Sequence, residues 1–297
     1  MAANSFLDKL TPKQRVGLAV AVLAVAGLVL LVQQFQKKPA PAPTPQGEPG
    51  TTLANRHIRF GMPADAKADP AQKDAYLIER PQYALSYNDS KKIPNWTCWH
   101  LKAGDIGKTP RGDFAEDPDL PAGFRRIKHG DYTGFGFDRG HLCPAKDRSD
   151  TEENNKATFY MTNMMPQSAE CNRGGWERFE SHCRDLTKDG SELYIAAGPH
   201  GQGGTGTEGL KQTIGRTTQI TVPASCWKVA LVLPKGENTV GTGAKALAVW
   251  MPNDTSVPEA WKPYAVSVAE VEKRTGFKFF PLVPDAVAAP LKGKLDP

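Results

Sequence analysis

The chain has 297 residues, enough for one large domain or two small ones with appendages. With 39% hydrophobic and 8% aromatic residues its composition is globular, which excludes a chain that lacks a sizeable core. A net charge of +5 leans toward polyanionic partners, and five cysteines without a CxxC pair argue against a zinc ribbon or a thioredoxin-like centre.

The first element in chain order is an unbroken run of 17 apolar or glycine residues from Val16 to Val32. A bilayer span needs about 20 such residues, within a range of ~17–25. The run is longer than a signal-peptide core of about 7–15 residues, and QQFQKK follows it instead of a small-residue cleavage site. Residues 1–38 therefore read as an uncleaved signal anchor, a transmembrane helix whose preceding Lys9, Lys13 and Arg15 keep the N-terminus cytoplasmic. Residues 39–54 begin with PAPAPTPQGEPG, a semi-rigid Pro-rich spacer. Residues 55–290 form the folded domain.

Within that domain, Ala84–Tyr87, Trp96–Leu101, Thr158–Asn163, Leu193–Ala197, Thr218–Val222, Trp227–Leu233 and Ala246–Met251 are rich in β-branched and aromatic residues and read as strands. The segments 172–187 and 268–274 read as helices. Strands outnumber helices without alternating with them, which predicts an α+β domain with a central, mostly antiparallel sheet flanked by helices.

Reactive side chains concentrate in two segments. The first is Asp138-Arg139-Gly140-His141, just after the glycine-rich TGFGF. The second starts at Asn163-Met164-Met165-Pro166-Gln167 and continues through Asn172 and Trp176 to Glu180 and Arg184. Histidine serves as a general base near neutral pH, since its unperturbed pKa is about 6.5. Phosphodiester cleavage also needs a cation and arginines for the phosphate oxygens. Arg139 shares a face with His141 if the stretch is extended. The other histidines (His57, His100, His129, His182, His200) read as ordinary core or surface residues.

On one continuous helix, Asn172, Phe179, Cys183 and Leu186 fall within about 40° of one direction. Asn172 then either caps the first turn or meets a metal ion. Glu180 lies about 12 Å further along the axis, and Arg184, one turn on, is placed to pair with it. A zinc site built from His141, Cys143, His182 and Cys183 is a competing arrangement that would consume the proposed base.

DRGH, then NMMPQ, then an asparagine followed by Trp176 and by a glutamate eight residues on, resembles the DNA/RNA non-specific endonuclease family, the ββα-metal nucleases. The likeness extends over residues 55–285. His57, Gly61 and Pro63, then Tyr87-Asn88 and Pro94-Asn95-Trp96, look like the family's opening strands. Ser267–Gly276 and Phe279–Phe280 look like its closing helix and strand. The resemblance implies a metal-dependent endonuclease acting on DNA and RNA. His141 would be the general base and Asn172 the one direct protein ligand of Mg²⁺, with Mn²⁺ as a substitute. Glu180 would hold metal-bound water, Arg139 would contact the phosphate, and Arg111 and Arg184 would bind substrate. Asp138 and Asn163 would orient the others. It leaves open a homodimer and an inhibitor protein as partners. A nucleic-acid-binding module that no longer cuts would have lost the base or the metal ligand, and both residue types are in place. A phosphodiesterase for other phosphoesters would use the same chemistry.

Overall fold

The computed structural model describes residues 11–13 and 55–296. By compactness the chain divides into Met1–Thr52 and Leu53–Pro297, and the fold described here is that of the second unit. The expected membrane segment, Val16–Val32, and the spacer at 39–54 lie outside the described residues. Among the described residues no helix is long and apolar enough to cross a membrane.

Twelve strands follow in order: β1 Tyr76–Glu79, β2 Ala84–Asn88, β3 Ile93–Leu101, β4 Asp138–His141, β5 Met164–Gln167, β6 Glu192–His200, β7 Gly204–Gly206, β8 Gly209–Lys211, β9 Thr213–Ile214, β10 Ile220–Thr221, β11 Ser225–Leu233 and β12 Lys245–Pro252. Five helices accompany them: α1 Glu152–Thr158, α2 Ala169–Arg173, α3 Gly175–Leu186, α4 Val268–Thr275 and α5 Asp285–Gly293. The main sheet has the order β1-β2-β3-β6-β11-β12, and every neighbouring pair is antiparallel.

This sheet is buried on both faces because its long strands alternate two apolar sets. Trp96 and Cys98 of β3, Tyr194 and Ala196 of β6, and Trp227, Val229 and Leu231 of β11 face α4 and α5, where Val268, Val271 and Ala288 complete one core. Trp99, Leu101, Leu193, Ile195, Ala230 and Val232 face the other way, onto Leu142, Met164, Met165, Trp176, Phe179 and Cys183. That second layer is the β4–β5 ladder with α3 laid across the sheet. Burial of a side chain such as Phe179 contributes about 1.5–3 kcal/mol. The reactive segments are thereby clamped to a rigid platform.

Several expectations are corrected. The region 158–163 is no strand: α1 ends at Thr158, and a short 3-10 turn covers Met161–Asn163 before β5 begins at Met164. The stretch 172–187 is two helices, because the chain turns out of helical geometry at Gly174 (φ −98°, ψ −118°). Phe279–Phe280 form no closing strand, and Phe279 instead packs edge-on against Trp227. The α4 prediction fits its signals, with Ser267 capping Glu270 N–H and Gly276 ending the helix at φ 74°. All five cysteines are buried and free.

Candidate active site

Strand β4 pairs with β5 in register Asp138↔Gln167, Arg139↔Pro166, Gly140↔Met165 and His141↔Met164. Together with α2 and α3 this makes a ββα unit, with His141 at the end of its first strand. Gly140 has a steric reason: a Cβ there would lie 2.2 Å from Gln167 Oε1, since that side chain crosses the strand. Immediately after His141, Asn163 clasps the chain. Its Oδ1 accepts from Cys143 N–H at 3.0 Å, and its Nδ2 donates to Cys143 O and Thr158 O, both at 2.9 Å. The indole N–H of Trp176 donates to His141 O at 3.4 Å.

The His141 ring stands edge-on to Phe159, with centroids 4.8 Å apart, and lies 5.7 Å from Phe114. Its Nε2 is shielded from solvent without a hydrogen-bond partner. Burial, then the nearby charges of Arg111 and Lys228, push its pKa down to about 3, so the ring is neutral at physiological pH.

Asn172 lies near the end of the short α2, where Ser168 is the N-cap, so the capping alternative falls. Its Nδ2 donates to Asp138 Oδ2 at 2.9 Å, while Arg173 holds both Asp138 oxygens at 2.7 and 2.8 Å. Among the described residues nothing donates to Asn172 Oδ1. Asp138 thus turns the asparagine so that its carbonyl oxygen is the free end. The break at Gly174, where a Cβ would meet Glu170 O at 2.4 Å, also takes Asn172 and Glu180 off a common axis, so the 12 Å straight-helix rise between them no longer applies.

Glu180 and Arg184 do not pair with each other. Arg184 Nη1 donates to Asp147 Oδ1 at 3.0 Å, and Nη2 to Glu177 Oε1 at 3.3 Å. Glu180 pairs instead with the buried Lys228 of β11. Arg139 donates to His129 O at 2.7 Å and Thr133 Oγ1 at 2.8 Å, with its guanidinium 5.4 Å from the Phe114 ring. The Arg111 guanidinium is 5.5 Å from that ring and 5.0 Å from Phe159, so both arginines and His141 border one aromatic pair. A cavity of about 670 Å³ opens alongside, lined by Arg111, Phe114, Glu152, Asn155 and Lys156 among others. His182 packs on Trp261, apart from His141 and Cys143, so the four residues of the competing zinc arrangement are not assembled.

Sequence reasoning missed Phe114, Phe159 and Lys228. Lys228 had a readable signal: in Cys226-Trp-Lys228-Val-Ala230-Leu-Val232 it alone breaks one alternating apolar face of a fully buried strand.

Comparison with known proteins gives a consistent result. The profile of the family described as DNA/RNA non-specific endonuclease matches residues 61–286. A protein named nuclease from a Nostoc species is 38% identical over 92% of this chain and 97% of its own. Nuclease C1 of Cunninghamella echinulata is 36% identical over 75% of this chain and 86% of its own. Mouse mitochondrial nuclease EXOG is 31% identical over 95% of this chain and 77% of its own. Among solved structures, a chain of the EndoG/EndoGI complex superposes with a TM-score of 0.65 at 26% identity, over 78% of this chain and 93% of that one. This protein is therefore an enzyme of the nuclease class and belongs to the DNA/RNA non-specific endonuclease family.

Proposed function

We propose that this chain is a Mg²⁺-dependent, sequence-nonspecific endonuclease that hydrolyses phosphodiester bonds of DNA and RNA, with His141 as general base. The observation that carries the reading is a neutral imidazole on the same strand as the carboxylate that leaves Asn172 Oδ1 free. The donor set fits a hard cation that keeps most of its waters, as Mg²⁺ does, and Mn²⁺ would substitute. Asn172 Oδ1 would hold the ion, and Glu180 would accept hydrogen bonds from its waters. When bound, the ion neutralises charge on the phosphate and the leaving oxygen.

The chain's own residues do the rest. His141 takes the proton of the attacking water, and a phosphodiester anion beside the ring raises its depressed proton affinity. Arg139 and Arg111, each beside Phe114, hold phosphate oxygens. Arg184 adds positive charge from a buried position, with Asp147 and Glu177 taking up its hydrogen bonds. Asp138 keeps the Asn172 amide turned, and Asn163 fixes the turn after the base. Because water is the nucleophile, the 2′-hydroxyl has no role, and phosphate contacts carry no sequence information. Purified enzyme is expected to cut both DNA and RNA to 5′-phosphate products, with activity falling as salt rises. RNA products bearing 2′,3′-cyclic ends would contradict the mechanism.

We infer further that the chain is anchored by residues 1–38 with residues 39–297 outside the cytoplasm, on the periplasmic side in a bacterium. An active nonspecific nuclease beside the chromosome is toxic, and the apolar run offers export. Twelve residues of such Pro-rich composition would span about 40 Å in polyproline geometry, a length suited to a spacer. Protease added to intact spheroplasts should remove the nuclease domain. Protection until lysis would reverse the orientation and make an inhibitor protein the required partner.

A further inference from the structure

Strand β11 is held on both edges, by β6 and by β12, so its side chains have only the two sheet faces to occupy. Lys228 shares a face with Cys226, Ala230 and Val232 and is only 1% exposed. A buried ammonium persists only with a partner. Its Nζ pairs with Glu180 Oε1 and sits 3.9 Å from the centroid of the Trp176 ring, with the Trp99 ring at 5.7 Å. Trp176 in turn donates to the His141 carbonyl. One contiguous chain therefore runs from the sheet through Lys228 to both the Glu180 carboxylate and the backbone of the candidate base.

Among the described residues Lys228 is the one cation that pairs directly with Glu180, because Arg184, though its charge is felt there, spends its hydrogen bonds on Asp147 and Glu177. Burial pushes the Glu180 carboxyl up, and Lys228 is the largest influence in the opposite direction. With Oε1 taken by Lys228, Oε2 is the oxygen that accepts nothing among the described residues.

We propose that Lys228 is a positioning residue for phosphodiester hydrolysis: it pins one oxygen of Glu180 so that the other faces the waters of the Mg²⁺ site. The proposal rests on the reading of Glu180 given above. Loss of Lys228 should then reproduce the loss of Glu180 in its Mg²⁺ dependence, since Lys228 reaches the ion only through Glu180, while its charge near His141 acts on the base separately.

The test is a double-mutant cycle in the full chain with Lys228→Met, Glu180→Gln and the pair. DNA cleavage is titrated with Mg²⁺, and the Mg²⁺-induced rise in melting temperature is measured without substrate. Outer-shell losses run about 10–100-fold. Both single variants are expected to lose activity in that range, with a higher half-saturating Mg²⁺ and a smaller thermal protection. In half-saturating Mg²⁺ the double variant should be no worse than either. Multiplying shifts in half-saturating Mg²⁺, or Lys228→Met within threefold of wild type while Glu180→Gln is impaired, would overturn the role of Lys228 alone. Full activity of Glu180→Gln would overturn the reading of Glu180 itself. If Lys228→Met does not fold, the double variant, which buries no charge, is compared with Glu180→Gln. An equal half-saturating Mg²⁺ then supports the proposal, and a further tenfold rise overturns it.

Discussion

His141→Ala should lower kcat by about 10²–10⁴, the usual worth of a general base, while DNA binding persists. The geometry isolates the effect. The Asn163 clasp on Cys143, the Trp176 bond to the His141 carbonyl and the β4–β5 register all involve backbone atoms that the substitution keeps. The arginines that would hold phosphate, Arg111 and Arg139, rest on Phe114 and not on the imidazole. Because burial and the charges of Arg111 and Lys228 hold the ring's pKa at about 3, the acid limb of kcat/KM should lie well below 6.5. The folded state then binds fewer protons than the unfolded chain between about 6.5 and 3, so stability falls as pH drops through that window. Steady-state kinetics with a pH profile and a binding assay check all of this. A purified variant within tenfold of wild type would show that some other group takes the proton.

The second large effect concerns the ion. EDTA should abolish cutting, and millimolar Mg²⁺ or Mn²⁺ should restore it, because a single protein oxygen holds such a cation loosely. Asn172→Ala should raise the half-saturating Mg²⁺ at least tenfold with little loss of melting temperature. Little stability is at stake, since Ser168 caps α2 and Asp138 keeps its paired contacts with Arg173 when the Asn172 amide is gone. Metal titration of activity beside a thermal melt separates the outcomes. A lower melting temperature with an unchanged Mg²⁺ requirement would make Asn172 a structural residue.

The long strands were legible because Trp96–Leu101, Leu193–Ala197, Trp227–Leu233 and Ala246–Met251 are dense in residues that suit a pleated surface. The strands of the site were not. Asp-Arg-Gly-His and Met-Met-Pro-Gln have weak strand propensity, and their pairing is imposed by the sheet beneath them and by Gln167 crossing Gly140. Thr158–Asn163 misleads in the opposite sense: its β-prone residues finish a helix and make a turn, because Asn163 is needed to bond three backbone groups. A glycine inside a helix costs only about 1 kcal/mol, so Gly174 and Gly175 do not by themselves mark a break. The break appears only in the backbone geometry at Gly174, where the close approach of Glu170 O leaves no room for a Cβ. The roles expected of His141, Asn172 and Glu180 came from the family resemblance, with residue chemistry alone leaving Asn172 open between a cap and a ligand. Their partners Lys228, Phe114 and Phe159 come from distant segments, and pattern along the chain does not report proximity in space.

The five unpaired, buried thiols have a separate consequence. A fold that closes without a cross-link keeps its architecture under a reductant. It also carries built-in reporters. Cys98 sits on the α4–α5 face of the sheet, and Cys143, Cys171, Cys183 and Cys226 sit on the face beneath the site. An alkylating reagent that meets all five at one rate reads a single concerted opening. If it meets the latter four first, it reads the catalytic layer lifting away from an intact sheet.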